Sequence, residues 1–191
     1  MKRSAQFLAA IDAYDDDHAK QALRLMEECA QQGDPVACYM TALWYGNGEG
    51  VPADVVARDY WMQRLKTLAE QGHVEAQWEL SGKYRWGNLL PLNIKQANFW
   101  LERAAEGGYG DAQHHLAWYF ETGQYDYRVD HDAAKMWYQR AFDQEHPETL
   151  YMFAVKQFSD GKPAEEAVRL LRKAADKGFK QAEEVLRLYV Y

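Results

Sequence analysis

The sequence predicts an all-α fold, an α-solenoid of stacked antiparallel helix pairs. Three observations predict it. A pattern recurs from residues 33, 72, 108, 145 and 178, in steps of 39, 36, 37 and 33, and periods of this size mark helix-pair arrays. Four residues after each start stands a small side chain, and eight further on an aromatic one in most copies, offsets that keep to one face of a helix. A second helix then reads small-x-x-large-x-x-basic-small before the next turn.

A degenerate pair opens the chain over residues 4–32, with a short helix over 4–14 and a second over 18–31 that carries Ala22, Leu25 and Ala30. The first full repeat, 33–71, places Ala37, Ala42 and Tyr45 on one helical face and ends that helix near Gly48. Its second helix, 54–70, is about one turn longer than its counterparts, and its small-to-large spacing matches them poorly. An extra turn or a local bulge is expected between Tyr60 and Leu65. The repeat over 72–107 supplies Ala76, Ser81, Tyr84 and Gly87, then Ala97, Trp100, Arg103, Ala104 and Ala105. The repeat over 108–144 supplies Ala112, Ala117, Phe120 and Gly123, then Ala134, Trp137, Arg140 and Ala141.

The repeat over 145–177 carries Thr149, Ala154 and Gly161, with Gln157 in the aromatic position, then Ala167, Leu170, Lys173, Ala174 and Ala175. It starts on Glu145 where the others start on glycine, so a different turn is expected there. The last segment, 178–191, reads as a capping helix, with Ala182 on its inner face and Glu183, Glu184 and Arg187 outside. The alanines let neighbouring helices approach closely. The turn glycines supply positive φ without a Cβ clash. Each pair is too thin to bury its own apolar face, so neighbours cover one another within one domain over 1–191.

Composition narrows the function classes. The chain has 191 residues and a net charge of −7, and it lacks a long basic run, which argues against nucleic acid or an anionic membrane as partner. The start of the chain pairs Lys2 and Arg3 with a short apolar stretch broken by Gln6 and followed by Asp12. That is too short and too acidic for a signal peptide, and no stretch has the length of a membrane span. A cytoplasmic protein is expected. Cys29 and Cys38 fit neither a CxxC motif nor a zinc spacing and read as buried free thiols.

The repeated pattern resembles the Sel1-like repeat, a relative of the tetratricopeptide superfamily. The segment from Gly72 to Gly108 carries the likeness best, through Ala76, Leu80, Tyr84, Gly87, Ala97, Trp100, Arg103, Ala104, Ala105 and Glu106, with Asn93 where the pattern has Asp. The resemblance implies a superhelix whose first helices line the concave side. It implies adaptors and scaffolds that bind proteins, mostly bacterial when they stand as single domains. Some relatives act as immunity proteins encoded beside secreted bacterial effectors, which gives the alternative reading: neutralisation of a toxin by direct binding. Cysteine-rich relatives bridge the helices of each repeat; Cys38 matches the second position of that pattern, Cys29 is one residue early, and the other repeats have no cysteine.

No catalytic residue, metal site or cofactor is predicted. The six histidines form no HExxH, and His114 and His115 point about 100° apart on a helix. His73 and His146 follow repeat starts and read as caps or solvent-facing groups. There is no GxGxxG, GxxxxGK[ST] or GxSxG. Two sets of mainly aromatic residues stand out. Tyr45, Tyr60, Tyr84, Trp100, Phe120 and Trp137 take packing positions of the repeat. A second set follows each small residue at offsets of 2, 6 and 10: Tyr39, Leu43, Trp78, Trp86, His114, Trp118 and Tyr151. These are the candidate protein-binding residues of the concave face, since aromatic rings bury much area with few rotors.

The long loop over 123–131 adds Tyr125, Tyr127 and Arg128 as contact candidates. The expected partner is a protein or peptide, with no nucleic acid and no membrane. The terminal Tyr189 and Tyr191 are candidates for weak self-association through the last helix.

Overall fold

A computed structural model describes residues 3–15, 18–161 and 164–189 of the chain. Among them run eleven α-helices: α1 (Ala5–Asp15), α2 (Ala19–Gln31), α3 (Pro35–Asn47), α4 (Val55–Glu70), α5 (Val74–Trp86), α6 (Ile94–Glu106), α7 (Gly110–Thr122), α8 (His131–Asp143), α9 (Pro147–Ser159), α10 (Ala164–Asp176) and α11 (Lys180–Tyr189). The described residues form no strand. They fall into two units, Met1–Gly107 with α1 to α6 and Gly108–Tyr191 with α7 to α11, divided at a repeat boundary. Within each unit consecutive helices pair antiparallel, as the repeat requires. The contact predicted for Tyr191 lies outside the described residues, as does the side chain of Tyr189.

Repeat chemistry sets the ends of the helices. Gly48, Gly87 and Gly123 close α3, α5 and α7 in the left-handed conformation, at φ of 77°, 69° and 69°. The second helices begin on caps. Asp54 accepts the N–H groups of Val56 and Ala57, Asn93 that of Gln96, and Asp130 those of Asp132 and Ala133. Such caps contribute about 1 kcal/mol each. The loops enter these caps alike: the N–H groups of Asp54, Asn93 and Asp130 donate to the carbonyls of Tyr45, Tyr84 and Phe120 at 2.8–2.9 Å.

The turns between repeats also share one geometry. Gly33 N–H donates to Ala30 O and Asp34 N–H to Cys29 O; Gly72 and His73 do the same with Ala69 and Leu68. Glu145 and His146 repeat this with Phe142 and Ala141 at 2.8 and 2.9 Å. The different turn expected at Glu145 does not occur. Glu145 takes the left-handed conformation itself, at φ 56°, and its carboxylate pairs with Lys173 on α10 and with Lys177 just beyond its end. Tertiary ion pairs and the turn's hydrogen bonds hold a side chain where glycine would be unstrained.

The small positions are the core. Ala37, Ala76, Ala112, Thr149 and Ala182 are inaccessible to solvent, and Ala42, Ser81, Ala117 and Ala154 lie beside them. In the first unit they pack with Met26, Trp44, Leu65 and Leu80; in the second, Leu150, Leu170 and Leu171 form the centre of α9 to α11. The basic residue of the second-helix signature lies over a ring on its own helix: Arg103 over Phe99 at 5.0 Å and Arg140 over Trp137 at 4.6 Å. Arg3 ties the start of the first unit to two later repeats through Asp34 at 3.2 Å and the buried Glu75 at 2.6 Å. Cys29 and Cys38 are free and buried.

The long second helix departs from the sequence reading in register. α4 has 16 residues against 13 in α6, so the extra turn is present. It is α-helical throughout, without the local bulge. Counted back from the turn glycines, Arg64 takes the place of Trp100 and Trp61 that of Ala97. Trp61 is therefore buried and Tyr60, expected in the core, is 58% exposed. Arg64 uses the tryptophan's place differently: Nε donates to Ala30 O at 3.1 Å and Nη2 to Gln31 O at 2.7 Å, closing the carbonyl end of α2.

Candidate functional site

Burying the small residues sets the offset-2, -6 and -10 positions on a different face of each first helix. In the first unit this places Tyr39 and Leu43 on α3, and Trp78 and Trp86 on α5. Tyr39, Leu43 and Trp78 are half-buried. Lys83 of α5 sits with Nζ 3.4 Å from the centre of the Tyr39 ring and pairs with Glu79 at 3.2 Å. Burial, then the Glu79 charge, raises the Tyr39 hydroxyl pKa. Trp86, at the end of α5, is 64% exposed.

The second unit divides the set. Trp118 on α7 is 37% exposed, and its ring lies beside that of Tyr119, with centres 5.3 Å apart. His114, His115, Trp118 and Glu148 line a cleft of about 250 Å³. Tyr151 on α9 is half-buried against Phe179, with ring centres 5.3 Å apart.

His114 is a correction: its ring is buried rather than presented to a partner. Its Nδ1 lies 2.9 Å from Thr149 Oγ1, which also lies 3.1 Å from His146 Nδ1. The cause is Thr149, which brings a hydroxyl to a position that is alanine elsewhere in the repeat. His146 stands at the N-cap position of α9, one of the two places expected for it, but without a side-chain cap bond; its ring is buried rather than solvent-facing, with Nε2 3.3 Å from Asp111. That hydrogen bond holds the Asp111 carboxyl below the ordinary range. Burial, with the charges of His146 and His115 behind it, lowers the His114 pKa to about 3, so its ring is neutral at pH 7. His73, by contrast, is a cap, its Nδ1 accepting the Ala76 N–H at 3.4 Å.

The loop candidates also separate. Tyr125 and Tyr127 lie against Tyr119, at 4.8 and 5.9 Å between ring centres, and Tyr127 also against Phe120 at 5.0 Å. Their rings are half-buried in this cluster, while Arg128 is exposed. Among the described residues no three His, Cys, Asp or Glu side chains are placed to hold a metal ion. No helix of the described residues is long and apolar enough to cross a membrane.

Sequence reasoning missed a cavity of about 480 Å³ between α8 and α9, walled by Tyr138, Phe153 and Gln157. Its signal was present in the register, where Gln157 replaces an aromatic residue.

Comparison with known proteins places this geometry. The Sel1 repeat matches residues 35–57, 74–109, 110–146 and 159–179, more than half of the chain. A solved Sel1 repeat protein from Oxalobacter formigenes is 33% identical, with a TM-score of 0.57 over 67% of this chain and 98% of that one. A protective antigen of uropathogenic Escherichia coli with an SLR fold is 26% identical, with a TM-score of 0.58 over 93% of this chain and 39% of that one. The chitin synthase regulator SKT5 of Malassezia restricta is 30% identical over 122 residues. That match takes in 62% of this chain and spans 8% of the regulator's length. Sel1 repeat proteins generally mediate protein–protein interaction on a non-catalytic scaffold. By its four matched repeats and its all-helical fold, this chain belongs to the Sel1 repeat family.

Proposed function

We propose that this chain is a non-enzymatic protein-interaction module, an adaptor that binds a partner protein through the aromatic residues of its first helices. One observation carries the reading: two tryptophans on first helices, Trp86 and Trp118, stay 64% and 37% exposed. Tryptophans left at the surface are energetically dominant in protein interfaces when a partner desolvates them. Half-buried Tyr39 and Trp78 supply further rigid ring area in the first unit, and Trp118 stands with His115 and Glu148 in the second. The partner is a protein or peptide, met in the cytoplasm, with neither nucleic acid nor membrane as ligand.

Affinity capture from a lysate tests the reading. Wild-type chain and a Trp78→Ala/Trp118→Ala variant, both shown to be folded by circular dichroism, are compared for recovered proteins. The reading expects a partner held by the wild type and lost by the variant. Equal recovery of every protein by both removes the aromatic faces from the interaction.

A further inference from the structure

The cavity between α8 and α9 is a product of the repeat's own irregularity. In three other repeats its register position holds a ring: Tyr45, Tyr84 and Phe120. In the first of these, Tyr45 reaches back from α3 and donates its hydroxyl to Glu27 of α2 at 2.8 Å. Glu27 stands six residues before the turn residue Gly33; six before Glu145 stands Gln139, which lines the cavity. The position that a ring spans between α2 and α3 is thus open between α8 and α9. The connection after α9 is also short, residues 160–163 against 48–54, 87–93 and 123–130 after the other first helices.

The chemistry of the opening is specific. Tyr138 and Phe153 give it apolar walls, and Glu121, Lys135, Lys156 and Asp160 stand exposed around it, two charges of each sign. A rim so balanced favours a neutral occupant over a charged one. Gln157 Oε1 is buried, and no donor among the described residues reaches it. A buried carbonyl oxygen needs a donor, and a volume of about 480 Å³ lies within the ordinary range of ligand sites.

We propose that this cavity receives a tyrosine or tryptophan side chain of a partner protein, its ring against Tyr138 and Phe153 and its O–H or N–H donating to Gln157 Oε1. The occupant takes the place that Tyr45 fills within the chain one side of the first repeat. The proposal rests on the partner-binding reading and names the side chain that one site recognises.

Nitrogen–proton correlation spectra of the full chain, titrated with N-acetyl-tryptophanamide, test it. N-acetyl-phenylalaninamide serves as the ring without a donor, and N-acetyl-leucinamide as the aliphatic probe. The expected result is saturable shifts at the Gln157 side-chain amide and at the backbone of Tyr138 and Phe153 with the tryptophan probe, at least tenfold weaker binding of the other two, and loss of the Tyr138 and Phe153 shifts in Gln157→Tyr. That substitution restores the ring used by other repeats; should it fail to fold, the three probes on the wild type decide alone. Absence of a saturable shift at Gln157, equal binding of all three probes, or undiminished binding by folded Gln157→Tyr overturns the site. If the cavity ignores the probes while capture still depends on Trp78 and Trp118, the cavity proposal fails and the partner-binding reading stands. If the cavity binds the tryptophan probe while capture survives both alanine changes, the reading of the aromatic faces fails and the cavity remains.

Discussion

The Tyr45 hydroxyl donates to Glu27 Oε1 at 2.8 Å, joining the end of α3 to the middle of α2. Burial, and then this hydrogen bond, push the Tyr45 pKa up to about 12. The pair shows how one repeat fastens its first helix to the helix before it, and the same register position is Gln157 in α9.

Replacing Tyr45 by Phe removes the bond while keeping the ring. The expected loss is about 0.5–1.5 kcal/mol at neutral pH, read from urea unfolding. The folded state keeps the phenol proton above the pH at which the unfolded chain loses it. The bond's contribution is therefore complete below about pH 10 and fades as pH rises toward 12. The gap between wild type and Tyr45→Phe is constant up to about pH 10 and narrows between about pH 10 and 12.

His114 makes the second unit sensitive to acid. Its folded pKa of about 3 lies below the unfolded value near 6.5. The groups facing it are Thr149, His115, His146, Asp111, Glu148 and Tyr138. A depressed pKa contributes stability above the unfolded value and loses it as pH falls. By pH 4.5 the loss is on the order of 2 kcal/mol. His114→Gln keeps a polar group beside Thr149 and does not titrate, so its unfolding midpoint falls less steeply from pH 6.5 to 4.5 than that of the wild type.

Glu145 separates backbone strain from ion pairing. Glu145→Gly relieves a non-glycine residue at φ 56° and gives up two exposed pairs with Lys173 and Lys177. Exposed pairs contribute little, so the thermal midpoint rises. Glu145→Ala keeps the positive φ and loses the pairs, so its midpoint falls below that of the wild type.

The two thiols report on the first unit. Burial raises the Cys38 pKa to about 12, and burial also raises that of Cys29. Both react slowly with a thiol-specific reagent in the native chain and promptly in denaturant, a difference seen by timed labelling and mass measurement.

The fold was legible because its signals are local. Turn glycines, the small residues four positions later, and the capping Asp54, Asn93 and Asp130 each act through neighbouring backbone. The register of α4 was not legible from its first turn: an added turn moved Tyr60 out and Trp61 in, and the counting that works runs back from Gly72. The site was less legible still. Periodicity gives the face a residue occupies, but not what packs on that face. Trp118 and His114 share one, yet Thr149 on the next first helix draws His114 into the core. Glu145 keeps the glycine-type turn because its own N–H and that of His146 make the same backbone hydrogen bonds as at the glycines, which the residue type at the start did not reveal.

The central claim is that surface aromatic residues on first helices bind a partner protein. Calorimetric titration of the captured partner into wild-type chain and into Trp86→Ala/Trp118→Ala tests it most directly. Interface tryptophans contribute about 2 kcal/mol or more when truncated, so the variant should bind at least about 30-fold more weakly, with unchanged unfolding behaviour. Equal affinity for both folded chains would contradict the account.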